Sequence, residues 1–165
     1  MDKRPVKASS SVLVHWMGVT DTNTSGNVHG GTVLKLCDEV AGIAAIRHSR
    51  CRVVTAGLDR VTFAEPIAQG DLVTLTASVN AVWRTSMEVG VRVVAERPSE
   101  GGAPRHTNTA YFTMVALDEH GHPTAVPPLE VETDDERRRE REAQLRRRNR
   151  LAEREDLFRH RAAES

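Results

Sequence analysis

From Val53 to Asp118 apolar and polar residues alternate along the chain. In "DLVTLTASVNAVW", Val73, Leu75, Ala77, Val79, Ala81 and Trp83 fall on one face, and Thr74, Thr76, Ser78 and Asn80 on the other. In "SMEVGVRVVAE", Met87, Val89, Val91, Val93 and Ala95 oppose Ser86, Glu88, Gly90 and Arg92. Period two with one apolar face predicts half-buried strands. "VVTAGLDRVTF" alternates too, but its parity slips between Leu58 and Val61, and a β-bulge near Asp59–Arg60 would restore the facing. "TNTAYFTMVALD" becomes apolar on both faces toward its end, as a central strand does. "RPSEGGAPRH" reads as a long exposed hairpin loop, and "SVLVHWM" as the first strand.

A different period precedes these strands. From Gly31 to about Arg47 the apolar set is Val33, Leu34, Leu36, Cys37, Val40, Ala41, Ile43, Ala44, Ala45 and Ile46. That is apolar almost all round, which predicts a largely buried helix. Roughly 17 residues make a helix about 25 Å long, enough to cross a five-stranded sheet. One long buried helix and an antiparallel sheet predict an α+β domain with the sheet wrapped over the helix.

The tail, "TDDERRREREAQLRRRNRLAEREDLFRHRAAES", is dominated by charge and lacks Pro and Gly. Thr133 followed by Asp134, Asp135 and Glu136 is a helix start with acids at the positive end of the dipole. Its few apolar residues, Leu145, Leu151, Leu157 and Phe158, predict a solvated helix docked weakly or not at all. RNA binding through Arg137–Arg139 and Arg146–Arg148 is disfavoured because interleaved Glu and Asp cancel most of the field. The expected organisation is therefore a flexible N-terminus (1–10), the α+β domain (11–130) and a charged helical extension (131–165).

Bulk composition narrows the class. The 165 residues are 39% hydrophobic and 28% charged, with 23 Lys+Arg against 23 Asp+Glu. A neutral balance gives no pull toward nucleic acid or anionic membrane. No apolar run approaches the roughly 20 residues that span a bilayer, and "MDKRPVKASS" lacks a signal peptide's apolar stretch. Cys37 and Cys51 have no metal-ligand spacing; a disulfide between them is open to the sequence, but two reduced thiols in a cytoplasmic protein are the favoured reading.

The stretch "DTNTSGNVHGGTVLKLCDEVAGIAAIRHS" holds the candidate chemistry. Asp38 sits among aliphatic neighbours in the central helix, and Asn and Gly crowd the helix entrance. Read alone, Asp38 is a solvent-facing acid paired with Lys35, Gly30–Gly31 a turn, and Asn23 an Asx-turn residue. His29 is structural or exposed, and Glu39 points about 100° away from Asp38 around the helix.

This stretch, followed by "VVTAGLDRVTFAEPIAQGDLV", "RTSMEV" and "AYFTMVALDEHGHPTAVPPL", closely resembles the cytosolic acyl-CoA hydrolase (brain-type acyl-CoA thioesterase) family from about Val12 to Leu129. The resemblance implies the hotdog fold: a five-stranded antiparallel sheet around a long central helix, here with a charged C-terminal helix added. It implies hydrolysis of fatty acyl-CoA to free acid and CoA, without a metal or a separate cofactor, CoA being part of substrate and product. In the family an Asn and an acid face each other across a dimer interface, and the matching positions here are Asn23 and Asp38, which the resemblance implies would meet in the same way. Asn27 is a second candidate for the Asn role, although "DTN" is the closer match.

The chemistry is consistent with those roles. Asp38 is expected to act as general base or nucleophile, and Asn23 to orient water or substrate through its donor and acceptor. The Gly30 and Gly31 N–H groups are expected to polarise the carbonyl at the positive end of the helix. In "RTSMEV", Arg84 and Ser86 are expected beside the nucleotide part of CoA with Thr85 between them, and Thr55 beside the pantetheine arm. Arg84 also reads as an exposed loop cation. The implied assembly is a homodimer at minimum and a homohexamer, a trimer of dimers, in full. The competing reading is a non-catalytic hotdog protein that binds acyl-CoA or acyl carrier, but such a module has no need of the acid. No nucleic-acid partner and no membrane span are expected.

Overall fold

The computed structural model describes residues 1–163, so the last two residues of the expected 131–165 extension lie outside it. Five strands form the main sheet: β2 (Ser11–Trp16), β3 (Arg52–Leu58), β4 (Leu72–Val82), β5 (Ser86–Glu96) and β6 (Arg105–Leu117). Their order is β2-β4-β5-β6-β3, and every neighbouring pair is antiparallel. Helix α1 (Gly30–Ser49) lies across one face. This is the hotdog arrangement expected from the sequence.

The alternation of the strands decides which face meets α1. Val73, Leu75, Ala77 and Val79 of β4, the odd residues of β5 from Met87 to Ala95, and Ala110, Phe112, Met114 and Ala116 of β6 are all buried in one core. From α1 come Val33, Leu36, Cys37, Val40, Ala41, Ala44 and Ala45. The alanines let the helix lie close to the sheet. The "RPSEGGAPRH" loop falls between β5 and β6 as expected, and its sides are tied by Asp71. That buried carboxylate accepts from Arg97 Nε at 2.8 Å, Arg105 Nη2 at 2.6 Å and the Ala68 N–H at 3.0 Å.

Five expectations are corrected. The bulge lies between Thr55 and Gly57, not at Asp59–Arg60, because β3 ends at Leu58. A second irregularity between Val79 and Ala81 shifts the parity of β4, so Asn80 and Ala81 are both buried and Trp83 leaves the core face. Helix α1 is not covered all round: Ile43 and Ile46 are 44% and 48% exposed. The expected flexible N-terminus is tied down, with β1 (Arg4–Pro5) pairing in parallel with β7 (Leu129–Glu130), Val6 buried, and Arg4 Nη1 donating to His48 O.

The fifth correction concerns the tail. Helix α2 (Asp134–Ala163) is docked through its first half against the sheet face opposite α1. Ala143 is fully buried, Arg146 stacks 3.6 Å from the Tyr111 ring centroid, and Arg147 lies 4.3 Å from that of Trp83. Arg146 grips Glu88 through Nη2 at 2.7 Å, and Glu88 is fully buried. The helix docks by ion pairs and guanidinium stacking rather than by an apolar stripe, which is why its composition did not reveal the contact. From Leu151 to Ala162 it is exposed.

Candidate active site

The loop before α1 is built by its polar residues. Asp21 Oδ2 accepts from the Gly18 N–H at 2.8 Å and meets His15 Nε2 at 3.1 Å, and Asp21 O accepts from the His29 N–H at 3.0 Å. The Gly18 amide holds the Asp21 carboxyl below its ordinary value; slight burial opposes this and His15 adds to it. Asn23 forms the Asx-turn: its Oδ1 accepts from the N–H groups of Ser25 at 2.9 Å and Asn27 at 3.2 Å. Its side chain is exposed, and among the described residues no protein group takes up its Nδ2. Asn27 instead bridges to Ala68.

The turn delivers the chain to α1 without a side-chain cap, since His29 stands at the N-cap position and makes no capping bond. Gly30 and Gly31 are the first two helical residues, so their N–H groups have no carbonyl one turn back to meet. A Cβ on Gly30 would approach the Phe63 ring at 3.3 Å, while one on Gly31 would stand in open space. Beside Gly30 and Val33 lies a cavity of about 150 Å³ walled by Phe63, Pro66 and Ile67. Uncapped donors at the positive end of a 20-residue helix, beside an apolar hollow, can bind a carbonyl oxygen as negative charge develops on it.

Asp38 lies two turns further along, on the side of α1 that the sheet leaves uncovered. Its Oδ1 accepts from Thr55 Oγ1 at 2.5 Å. Lys35, its alternative partner, turns to Glu39 at 3.8 Å instead. Thr55 also approaches Met114 Sδ at 3.5 Å. The hydroxyl that was expected beside the pantetheine arm thus orients the acid. Strand β3 pairs on one edge only, with β6, and most of its side chains are exposed. Asp38 and Asn23 make separate contacts within one chain: Asn23 within its loop, Asp38 with Thr55. Cys37, next to the acid, is no alternative nucleophile. Burial pushes its thiol up to about 12, with Asn108 partly opposing and Asp38 adding to the shift. Cys37 and Cys51 are both free thiols.

Arg84 and Thr85 form the β4–β5 turn, and Ser86 opens β5. The turn is fixed through its backbone: Trp83 N–H to Ser86 O at 2.8 Å, Ala116 N–H to Thr85 O at 3.0 Å and Val126 N–H to Arg84 O at 3.1 Å. Arg84 is exposed and among the described residues has no ion-pair partner. Thr55, Met114 and Met87 are paired in one row across β3, β6 and β5. Arg84 lies in the turn three residues before Met87, so it is offset from that row along the strands as well as two strands across from Thr55.

The thioesterase superfamily matches residues 25–101. The rat cytosolic acyl coenzyme A thioester hydrolase is 39% identical over 135 residues, which are 81% of this chain and 35% of that protein. The chain thus spans about a third of the length of that curated relative. A hexameric acyl-CoA thioesterase crystallised without ligand is 37% identical and superposes with a TM-score of 0.88, over 93% of this chain and 97% of the other. The Staphylococcus aureus acyl-CoA hydrolase, solved with butyryl-CoA, CoA and CoA disulfide, is 31% identical with a TM-score of 0.87 over 95% of each chain. That hydrolase has also been solved as single variants in which an Asn, an Asp and a Thr are each replaced by Ala.

Proposed function

This chain belongs to the acyl-CoA thioester hydrolase branch of the thioesterase superfamily, and from that premise we propose that it hydrolyses fatty acyl-CoA to the free acid and CoA. The observation that carries the proposal is the Asp38 carboxylate, held by Thr55 at 2.5 Å on the uncovered side of α1, downstream of two uncapped glycine amides. Asp38 takes a proton from water as the water oxygen bonds to the thioester carbon. The Gly30 and Gly31 N–H groups stabilise the oxyanion. The C–S bond then breaks, the CoA sulfur receives the proton, and the acid remains. A nucleophilic carboxylate, acylated first and then freed by water, uses the same groups. No metal or additional cofactor enters either route.

Asn23 supplies its free Nδ2 to water or substrate at the Asp38 of a partner chain. The open edge of β3 and the exposed Ile43 and Ile46 support a homodimer joined through this side. The hexameric relative supports a trimer of such dimers. The three residues varied in the S. aureus hydrolase have the same spacing along the chain as Asn23, Asp38 and Thr55, which supports their roles here. Arg84, Thr85 and Ser86 hold the nucleotide end of CoA, with Arg84 free to meet a phosphate. The α+β unit at 11–130 carries the site, and the docked first half of α2 within the 131–165 extension braces it. The relative's cytosolic name supports a cytoplasmic location, and no described helix is long and apolar enough to cross a membrane.

The testing experiment is release of free thiol from palmitoyl-, octanoyl- and acetyl-CoA. Turnover with at least one chain length, at typical enzymatic rates of about 1 s⁻¹ or more, is expected. Stoichiometric binding of acyl-CoA without thiol release would support the non-catalytic reading instead.

A further inference from the structure

We propose that Arg150 is a positioning residue for the reaction, acting on Thr55 and Asp38 from the opposite face of the sheet. The inference rests on the proposed role of Asp38. The geometry begins with α2, whose Arg150 Nη1 contacts both carboxylate oxygens of Asp59, at 2.9 and 2.7 Å. Asp59 is the first residue after β3, and its N–H donates to Tyr111 O at 3.0 Å. Arg150 also lies 3.6 Å from Glu88 Oε2 on β5. One turn earlier, Arg146 holds Glu88 and covers the Tyr111 ring of β6. The two arginines thus form a strap that starts on β5, crosses β6 and ends on the residue that closes β3.

The strap matters because, within one chain, β3 is held along a single edge, by β6. It is an edge strand, with Thr55, Ala56, Gly57 and Leu58 all exposed. Its ladder to β6 breaks between Thr55 and Gly57, immediately after the residue that orients Asp38. The bulge beside Gly57 is the point where the ladder is least regular, and pairing resumes at Gly57 and Leu58. Past the bulge the strand is held by the pairing of Gly57 and Leu58 with β6 and by Asp59, which Tyr111 O and Arg150 fix in turn. A carboxylate that has lost its orienting hydroxyl fails in the chemical step rather than in binding. A displacement of about 1 Å from a remote change can cost up to about 100-fold in rate.

The test compares Arg150→Ala, Asp59→Asn, the double variant, Arg150→Lys and the control Arg154→Ala. Each is assayed for thiol release on the full chain, with oligomeric mass measured by light scattering and amide exchange followed across 55–60. Expected for Arg150→Ala are a roughly 10-fold fall in kcat with KM changed less than about twofold, faster exchange at 55–60 and unchanged mass. Asp59→Asn should match it, the double variant should be no worse than either single one, and Arg150→Lys should recover part of the loss. Arg154→Ala should leave all three readouts unchanged. An unchanged kcat in Arg150→Ala, multiplicative losses in the double variant, or activity falling only in step with loss of assembly would overturn the proposal. Asp38→Asn in the same assay separates the two claims. If it keeps full turnover, the role of Asp38 fails whatever Arg150 does; if it is inactive while Arg150→Ala is normal, only the strap fails.

Discussion

Arg146→Ala should destabilise the protein far more than its place in a charged, mostly exposed helix suggests. Glu88 is fully buried, among the described residues its cationic partners Arg146 and Arg150 both come from α2, and its other bond is the weaker one from Asn80 Nδ2 at 3.2 Å. Removing one partner of a buried pair costs about 3–5 kcal/mol. Here the Arg146 side chain keeps 21% of its exposure and Arg150 stays 3.6 Å away, so we take about 2–3 kcal/mol. For a chain of this size each kcal/mol lowers Tm by about 2–4 °C, giving a fall of about 5–10 °C. Differential scanning fluorimetry at one fixed protein concentration measures it, since assembly makes Tm concentration-dependent. Two companion variants probe the same contact. Glu88→Leu with Arg146→Met removes both charges, and an apolar replacement of a buried pair is often neutral or better, so most of the loss should return. Gly90→Ala would place a Cβ 2.6 Å from Asn80 Nδ2, forcing the carboxamide off Glu88 and lowering Tm in its own right. A fall below about 2 °C for Arg146→Ala, or a double variant less stable than the single one, would refute the account of how α2 docks.

Three further outcomes follow from the other clusters. Burial pushes the Asp71 carboxyl up, but the Ala68 amide, Arg105 and Arg97 outweigh it and hold the group below its ordinary value. A depressed folded-state value stabilises fully above the unfolded value of about 3.9 and is lost as pH falls through the lower one; Asp71→Asn should therefore cost less stability at pH 3 than at pH 7, and an equal cost at both would contradict this. Arg84→Ala should raise KM for acyl-CoA several-fold with kcat nearly unchanged, as loss of uniform binding does, and an unchanged KM would place Arg84 outside the CoA site. Mixing inactive Asn23→Ala and Asp38→Ala chains under subunit exchange should restore about a quarter of wild-type activity, since half the dimers are mixed and each has one intact site. No recovery despite proven exchange would mean that the two residues do not act across the interface.

The core was legible because its signal is local. Val73 to Val79 alternate without interruption and Met87 to Ala95 with Val94 alone breaking the pattern, so the buried face of each strand can be read from one residue to the next. The helix start was legible from Gly30 and Gly31, and the order of elements gave the sheet. What escaped the sequence depends on pairing between distant segments. Glu88 reads as an outward polar residue, and only the docking of Arg146, 58 positions later, buries it. The bulge was misplaced because parity alone records that one extra residue exists and not where the ladder absorbs it. Thr55 as the partner of Asp38 was also invisible, since the contact joins α1 to an edge strand whose register is set by β6. Asn23 is the reverse case: its Asx-turn was legible from its own loop, and its proposed work lies in a neighbouring chain.

The central claim is that Asp38 performs the chemistry, and the turnover of Asp38→Asn measures it most directly. The substitution keeps the size of the side chain and an acceptor for Thr55 Oγ1, so fold, assembly and CoA binding should stay close to wild type. Thiol release should fall by about 10²–10⁴-fold, the range typical of an acid–base group. Turnover above about a tenth of wild type, in a variant shown to bind CoA normally, would contradict the account.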